Sequence, residues 1–351
     1  MHELIERRPL GTSGLDLPPV VFGTSALGNL YIALDPGIKR RIASEWFSQV
    51  KPPVALDTAG KYGAGLALEM IGRLLRDLGV APQDVVISNK LGWKRVPLVG
   101  AEPTFEPGVW KDLEYDAEQA ISYRGMKECW EQGCKLLGEP YRPKLVSVHD
   151  PDEYIGAAID SIDRARRVQD VLEAYRALGE LKQAGEVAAV GIGAKDWKII
   201  REVSRHVELD WVMFACSLTM YTHPKELLEF IDELRLQGVG IINSAVFNAG
   251  FLTGGRYFDY RIPDPVEDAA LFSWRERFLA LCERHRVKPS DACVEFGLSA
   301  PGVSAVALNT SNPDHVLANV QSVVRRAPRE FWSEAKADNI IDASYPYPDQ
   351  E

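Results

Sequence analysis

The chain has 351 residues, 46% of them hydrophobic and 26% charged, which excludes a disordered or fibrous protein and allows a sizeable core. A formal net charge of −10 leaves no surplus of cations to neutralise phosphates, so nucleic acid is not an expected partner.

The N-terminal residues MHELIERR are charged and lack the apolar stretch of a leader, and no run of about 18 apolar residues follows. A cytoplasmic protein without a membrane partner is expected. Short β-branched runs then alternate with helical patterns. Strands are predicted at 20–22, 54–57, 85–88, 145–148, 187–192, 211–216, 239–243 and 304–308. Amphipathic segments at 66–78, 168–184 and 224–237 lie among them, the last opening on Pro224, which suits a first helical turn. Strand–helix alternation implies a parallel sheet with right-handed crossovers. No polar, one-sided strand marks a sheet edge, so an α/β fold closed as a (β/α)8 TIM barrel is predicted, one domain over 1–351. Residues 23–28 after the first strand lack the GxGxxG spacing that seats a pyrophosphate on a helix N-terminus, which argues against a Rossmann domain. The segment 93–116, rich in Pro, Gly and aromatics, breaks the rhythm and predicts an extended loop after the third strand, at the face where barrels bind substrates. Its Trp93 and Trp110 are candidate substrate contacts, because a sugar ring stacks on an aromatic plane; anchoring the loop is the alternative role. Cys129, Cys134, Cys216, Cys282 and Cys293 sit at no zinc-ligand spacing, so idle thiols and no metal site are expected.

Three predicted strands end in polar residues: Asp57 after the second, Lys90 after the third and His149 after the fourth, with Tyr62 five residues past Asp57. Alone, each reads equally well as a helix cap, a solvated strand end, a loop aromatic or a satisfied core histidine. Neighbouring barrel strands bring their C-terminal ends to one side of the mouth, so the four would share a pocket. A free tyrosine titrates near 10, and proton transfer near neutrality asks for a lowering of roughly two to three pH units, about 3–4 kcal/mol. An ammonium about 4 Å away supplies about 4 kcal/mol at an effective dielectric near 20. Lys90 is expected to lower Tyr62 in this way, with Asp57 fixing the lysine and a neutral His149 hydrogen-bonding the reacting oxygen.

The stretch DTAGKYGAGLALE at 57–69, SNK at 88–90, the histidine ending the fourth strand and RRPLGTSGLDLPPVVFGT at 7–24 resemble the aldo-keto reductases over essentially the whole chain. The resemblance implies a barrel with an N-terminal hairpin, a nicotinamide cofactor, and a catalytic tetrad at Asp57, Tyr62, Lys90 and His149. HDP at 149–151, GTS at 23–25 and NSAVFNAGFLTG at 243–254 look most like the bacterial sugar 1-dehydrogenases, which oxidise aldoses such as L-fucose to lactones, and like a pyridoxal dehydrogenase. It implies cofactor contacts at Gly23, Thr24, Asp57, Ser244, Ala245, Phe247, Asn309, Thr310, Ser311, His315 and Asn319, and a substrate contact at Asp150. The Ser/Gly/Ala-rich loop after the seventh strand suits close approach of a pyrophosphate. Gly193-Ala194-Lys195 and Met213 stand where many members carry SerAsn and Gln to hold the carboxamide, so those contacts stay unassigned. The segment after the eighth strand offers Asn309, Thr310, Ser311, His315 and Asn319 where a 2′-phosphate usually finds Lys or Arg, so NAD is expected, with NADP as second choice. The implied partner is a small sugar or carbonyl substrate; a non-catalytic NAD(P)-binding regulatory subunit on the same barrel is the alternative.

Overall fold

The computed structural model describes residues 6–259 and 261–347; the first five residues, part of the charged N-terminus, lie outside the described residues. Strands β1 (Arg8–Pro9) and β2 (Asp16–Leu17) pair as a small antiparallel hairpin. Then come β3 (Val20–Gly23), β4 (Val54–Ala59), β5 (Val85–Leu91), β6 (Trp93–Pro97), β7 (Tyr115–Gln119), β8 (Leu145–His149), β9 (Ala189–Ala194), β10 (Trp211–Ala215), β11 (Gly240–Ser244) and β12 (Val303–Leu308). Eight of these, β3, β4, β5, β8, β9, β10, β11 and β12, form a closed parallel barrel in chain order. The helices are α1 (Pro36–Gln49), α2 (Leu66–Asp77), α3 (Tyr123–Leu137), α4 (Pro151–Gly156), α5 (Ser161–Gln183), α6 (Trp197–Ser204), α7 (Lys225–Leu236), α8 (Ala269–His285), α9 (Pro289–Ser299), α10 (Asp314–Ser322) and α11 (Arg329–Ala337). No described helix is long and apolar enough to cross a membrane.

Strand periodicity sorts the side chains into two cores. Val20, Phe22, Leu56, Ile87, Val146, Ile192 and Phe214 point outward and pack with the helices. Val21, Ala55, Val86, Leu145, Ala189, Trp211, Ile242 and Ala305 have the opposite parity and fill the barrel interior. Gly191 makes room there, since a Cβ on it would lie 2.4 Å from the Trp211 ring. The hairpin plugs the N-terminal end with Leu10 and Leu17, both fully buried, each stabilising by about 1.5–3 kcal/mol.

Three segments differ from the sequence reading. The 93–116 region is not merely a loop: β6 and β7 pair antiparallel from Trp93↔Gln119 to Pro97↔Tyr115, and only the arm between them is irregular. Charged residues in KRVP and YDAEQ mask the strand pattern, and the pairing leaves those side chains on a small, half-exposed ribbon. Helix α5 begins seven residues before Val168, capped by Asp160, which accepts from the Asp163 amide at 2.8 Å. Its first two turns are held by Asp163–Arg166 and Asp163–Arg167 pairs rather than an apolar stripe, so hydrophobic periodicity could not reveal them. Pro224 is the N-cap of α7 rather than a residue of its first turn.

Candidate active site

Parity that fills the barrel interior also carries polar groups to its C-terminal mouth. Asp57 lies two residues beyond Ala55 on β4; Lys90 and His149 lie four beyond Val86 and Leu145 on β5 and β8. All three are nearly inaccessible to solvent. Tyr62 sits on the turn between β4 and α2, where Gly63, at φ 62°, presses backbone to backbone on Gly28. A Cβ at Gly63 would lie 2.3 Å from the Gly28 carbonyl oxygen, so the turn that presents Tyr62 requires glycine.

Lys90 Nζ donates to Asp57 Oδ2 at 2.5 Å and lies 4.8 Å from the Tyr62 ring centroid. The His149 ring meets Tyr62 edge-on at 5.7 Å, and His149 Nε2 is 3.4 Å from Asp150 Oδ2. Burial, together with the charges of Lys90 and Lys61, holds His149 well below 6.5 and therefore neutral. The expectation that Lys90 lowers Tyr62 is overturned. Burial, then the carboxylates of Asp57 and Asp150, push the phenol well above 10, and Lys61 opposes them only in part. The ammonium of Lys90 faces the ring and is paired with Asp57, which offsets its field at the hydroxyl.

These groups open into a cavity of about 450 Å³. Of the residues expected to hold a cofactor, Gly23, Asp57, Ser244, Ala245, Phe247, Asn309, Thr310 and Ser311 line it. Thr24 does not: its amide and hydroxyl both donate to the Asp57 carbonyl, at 3.0 and 2.9 Å, which fixes β3 against β4. His315 and Asn319 lie on α10 outside the lining, because the helix starts at Asp314 and turns His315 to solvent. A dinucleotide suits the wall that remains. Ala245, Asn248, Ala249 and Gly250 all have positive φ, and all but Asn248 line the cavity, so the loop brings backbone rather than long side chains to its wall. Ser244 Oγ donates to the Phe214 carbonyl and Asn309 Nδ2 to Ser25 Oγ, each at 3.0 Å, tying the loops after β11 and β12 to their neighbours. Gly193, Ala194, Lys195 and Met213 line the cavity where carboxamide contacts were left unassigned.

At the substrate end, Trp110 and Asp150 line the cavity and Trp93 does not. Trp93 packs against Phe105 at 5.9 Å and lies 5.0 Å from Lys61 Nζ, so it supports the arm from behind. Trp110 is buried, 5.9 Å from the Tyr62 ring, and donates from Nε1 to Glu106 Oε2 at 2.7 Å. The arm docks on the segment after β3 through Tyr31 N to Val109 O at 2.8 Å and Lys111 N to Asn29 O at 3.1 Å. Sequence reasoning missed Lys61, Glu106, Tyr31, Cys216 and Asp259, all of which line the same cavity. Lys61 stands beside Tyr62 within the motif at 57–69, yet its partners are remote in sequence.

The aldo/keto reductase family pattern matches residues 19–339. Pyridoxal 4-dehydrogenase of Microbacterium luteolum is 26% identical over 96% of this chain and 98% of its own length. D-threo-aldose 1-dehydrogenase of a Pseudomonas species is 26% identical over 94% of this chain and 96% of its own. In fold, the chain is similar to an aldo-keto reductase of Bacillus halodurans solved in its holo form, with a TM-score of 0.68 and 22% identity over 99% of this chain and 100% of that one. The chain is an oxidoreductase that works with a nicotinamide cofactor, and it belongs to the aldo/keto reductase family.

Proposed function

We propose that this enzyme transfers hydride between NAD and the anomeric carbon of an aldose, giving the lactone, or a related alcohol–carbonyl pair, with Tyr62 as the proton-transfer group. One observation carries the reading: the Tyr62 phenol, the Asp57–Lys90 pair and neutral His149 meet in one cavity with the Trp110 plane. When bound, the nicotinamide accepts or supplies the hydride. In carbonyl reduction Tyr62, held protonated, donates to the oxygen as negative charge develops, while His149 hydrogen-bonds the same oxygen as a neutral donor. In alcohol oxidation the phenol must first lose its proton, so kcat/KM for oxidation rises with pH through the alkaline range, whereas reduction is sustained at neutral pH. The two curated relatives, named for a pyridoxal and an aldose activity, support both substrate classes, and the aromatic plane beside Tyr62 favours a sugar.

The NAD preference rests on charge. Asn309, Thr310 and Ser311 line the cavity, and Asp314 at the start of α10 holds the guanidinium of Arg41 at 3.0 Å. A 2′-phosphate would meet neutral groups and an Arg41 whose charge is already paired with Asp314, so NAD gives the higher kcat/KM by about ten-fold or more, one charge-assisted bond being worth on the order of 1.5–3 kcal/mol. Ser311→Arg moves the preference toward NADP. The test is steady-state turnover of an aldose, aldehyde and pyridoxal panel with NAD and NADP. Turnover of aldoses with NAD supports the reading; a preference for NADP overturns the cofactor choice, oxidation confined to non-sugar alcohols overturns the aldose assignment, and turnover of nothing in the panel overturns the reading as a whole.

A further inference from the structure

Beside Tyr62, and outside the tetrad, lies a lysine whose side chain is 4% exposed. Lys61 Nζ reaches Glu106 Oε1 at 2.8 Å, Asp150 Oδ2 at 3.1 Å and Glu153 Oε2 at 3.3 Å, and the Trp93 ring covers it at 5.0 Å. An ammonium has three N–H donors, and here each has a carboxylate within reach. Those carboxylates come from two places: Glu106 from the β6–β7 arm, and Asp150 and Glu153 from the N-cap and first turn of α4, just after β8. Glu106 in turn accepts from Trp110 Nε1 at 2.7 Å, and Trp110 packs at 5.9 Å on Tyr62, the residue that follows Lys61. The contacts close a ring through three loops. Burial opposes the lysine's charge, yet Asp150, Glu106 and Glu153 more than offset it and keep Lys61 cationic.

The charges do not cancel. Glu153 is shared with Lys195 at 2.6 Å, and Asp259 also lines the cavity. At this end the lining carries Lys61 and Lys195 with Glu106, Asp150 and Asp259, and Glu153, outside the lining, pairs with both lysines, so carboxylates outnumber cations there. Carboxylates at such a wall accept hydrogen bonds from hydroxyl groups and repel phosphate or carboxylate.

Building on the function proposed above, we infer that Lys61 is a positioning residue that clasps the Glu106–Trp110 arm to the mouth of the barrel, and that the acidic excess it leaves selects uncharged polyhydroxy substrates over phosphorylated or carboxylated ones. Two variants test it in the full-length enzyme. Lys61→Met unfastens the arm and removes the cation that Glu106, Asp150 and Glu153 share, Glu153 keeping Lys195; Glu106→Gln loosens one joint and removes one negative charge. Amide hydrogen exchange of residues 98–114 accelerates in both, and Lys61→Arg restores protection toward wild type. With a neutral aldose, Lys61→Met raises KM about ten-fold or more with a smaller change in kcat, the cost of one lost charge-assisted contact. The ratio of kcat/KM for an aldose to that for the matching uronic acid rises in Lys61→Met and falls in Glu106→Gln. Wild-type exchange rates in both variants overturn the clasp, and a ratio that moves the same way in both overturns the selectivity. Exchange is read without turnover, so a protein that oxidises no aldose defeats the sugar reading while the clasp is still measured.

Discussion

Burial sets the protonation of the two residues at the centre of the cavity, and it acts on them in opposite directions. Desolvation disfavours whichever form is charged, so Tyr62 keeps its proton and His149 refuses one. Tyr62→Phe removes the exchangeable proton and little volume; kcat falls by roughly 10²–10⁴ while cofactor affinity, followed by fluorescence titration, stays near wild type. Turnover within a few-fold of wild type would move the proton-transfer role elsewhere. His149 also links stability to pH. Unfolded, it takes up a proton near 6.5; folded, it resists well below that value. Its contribution is therefore complete above pH 6.5 and is lost as pH falls below it, by about 1.4 kcal/mol for each pH unit until the folded form titrates. Urea unfolding of wild type and His149→Gln at pH 7.5, 6.0 and 5.0 should show the shallower decline in the variant. Parallel declines would mean that other groups dominate acid unfolding.

Two helical glycines separate close packing from mere permissiveness. Gly72 on α2 faces α3, and a Cβ there would lie 1.7 Å from the Leu137 carbonyl oxygen. On α5, a Cβ added at Gly179 would meet nothing within 4 Å. Gly72→Ala must push α2 from α3 and costs about 1–3 kcal/mol or more. Gly179→Ala stiffens the unfolded chain and gains about 0.5–1 kcal/mol. Paired denaturant melts check both signs; equal effects would mean that α2 and α3 shift apart freely. The same scale shows where local pattern falls short. The 93–116 region shows its aromatic content in sequence, but Trp93 and Trp110 part company on folding: one backs Lys61 and the other lines the cavity.

Across the molecule, the cavity joins loops from both ends of the barrel order. Gly23 ends β3, Ser244 ends β11 and Asn309 follows β12, so a bound cofactor would bridge the first and last thirds of the chain. A ligand that binds only the folded state stabilises it by RT ln(1 + [L]/Kd), about 2.7 kcal/mol at one hundred times Kd. Scanning calorimetry with NAD at that excess should move the whole endotherm upward by a few degrees as one transition. A shift confined to a minor shoulder would place the cofactor on a locally melting segment instead.

Strand parity and strand order are properties of neighbouring residues, and the sequence by itself determined them: eight apolar runs, the closed alternation, and Asp57, Lys90 and His149 at strand ends that one side of a barrel brings together. The N-terminal hairpin was legible only through the resemblance of residues 7–24 to the aldo-keto reductases. Tertiary structure alone decided the partners and the electrostatics. Lys61 meets carboxylates 89 and 92 residues away, and no local period encodes which loops close on which. Thr24, Trp93, His315 and Asn319 leave the cavity wall because a strand hydrogen bond, a ring contact and a helix start turn them aside. The direction of the Tyr62 shift depended on desolvation and the carboxylates of Asp57 and Asp150 outweighing Lys61, and burial is set only when the whole barrel closes around it.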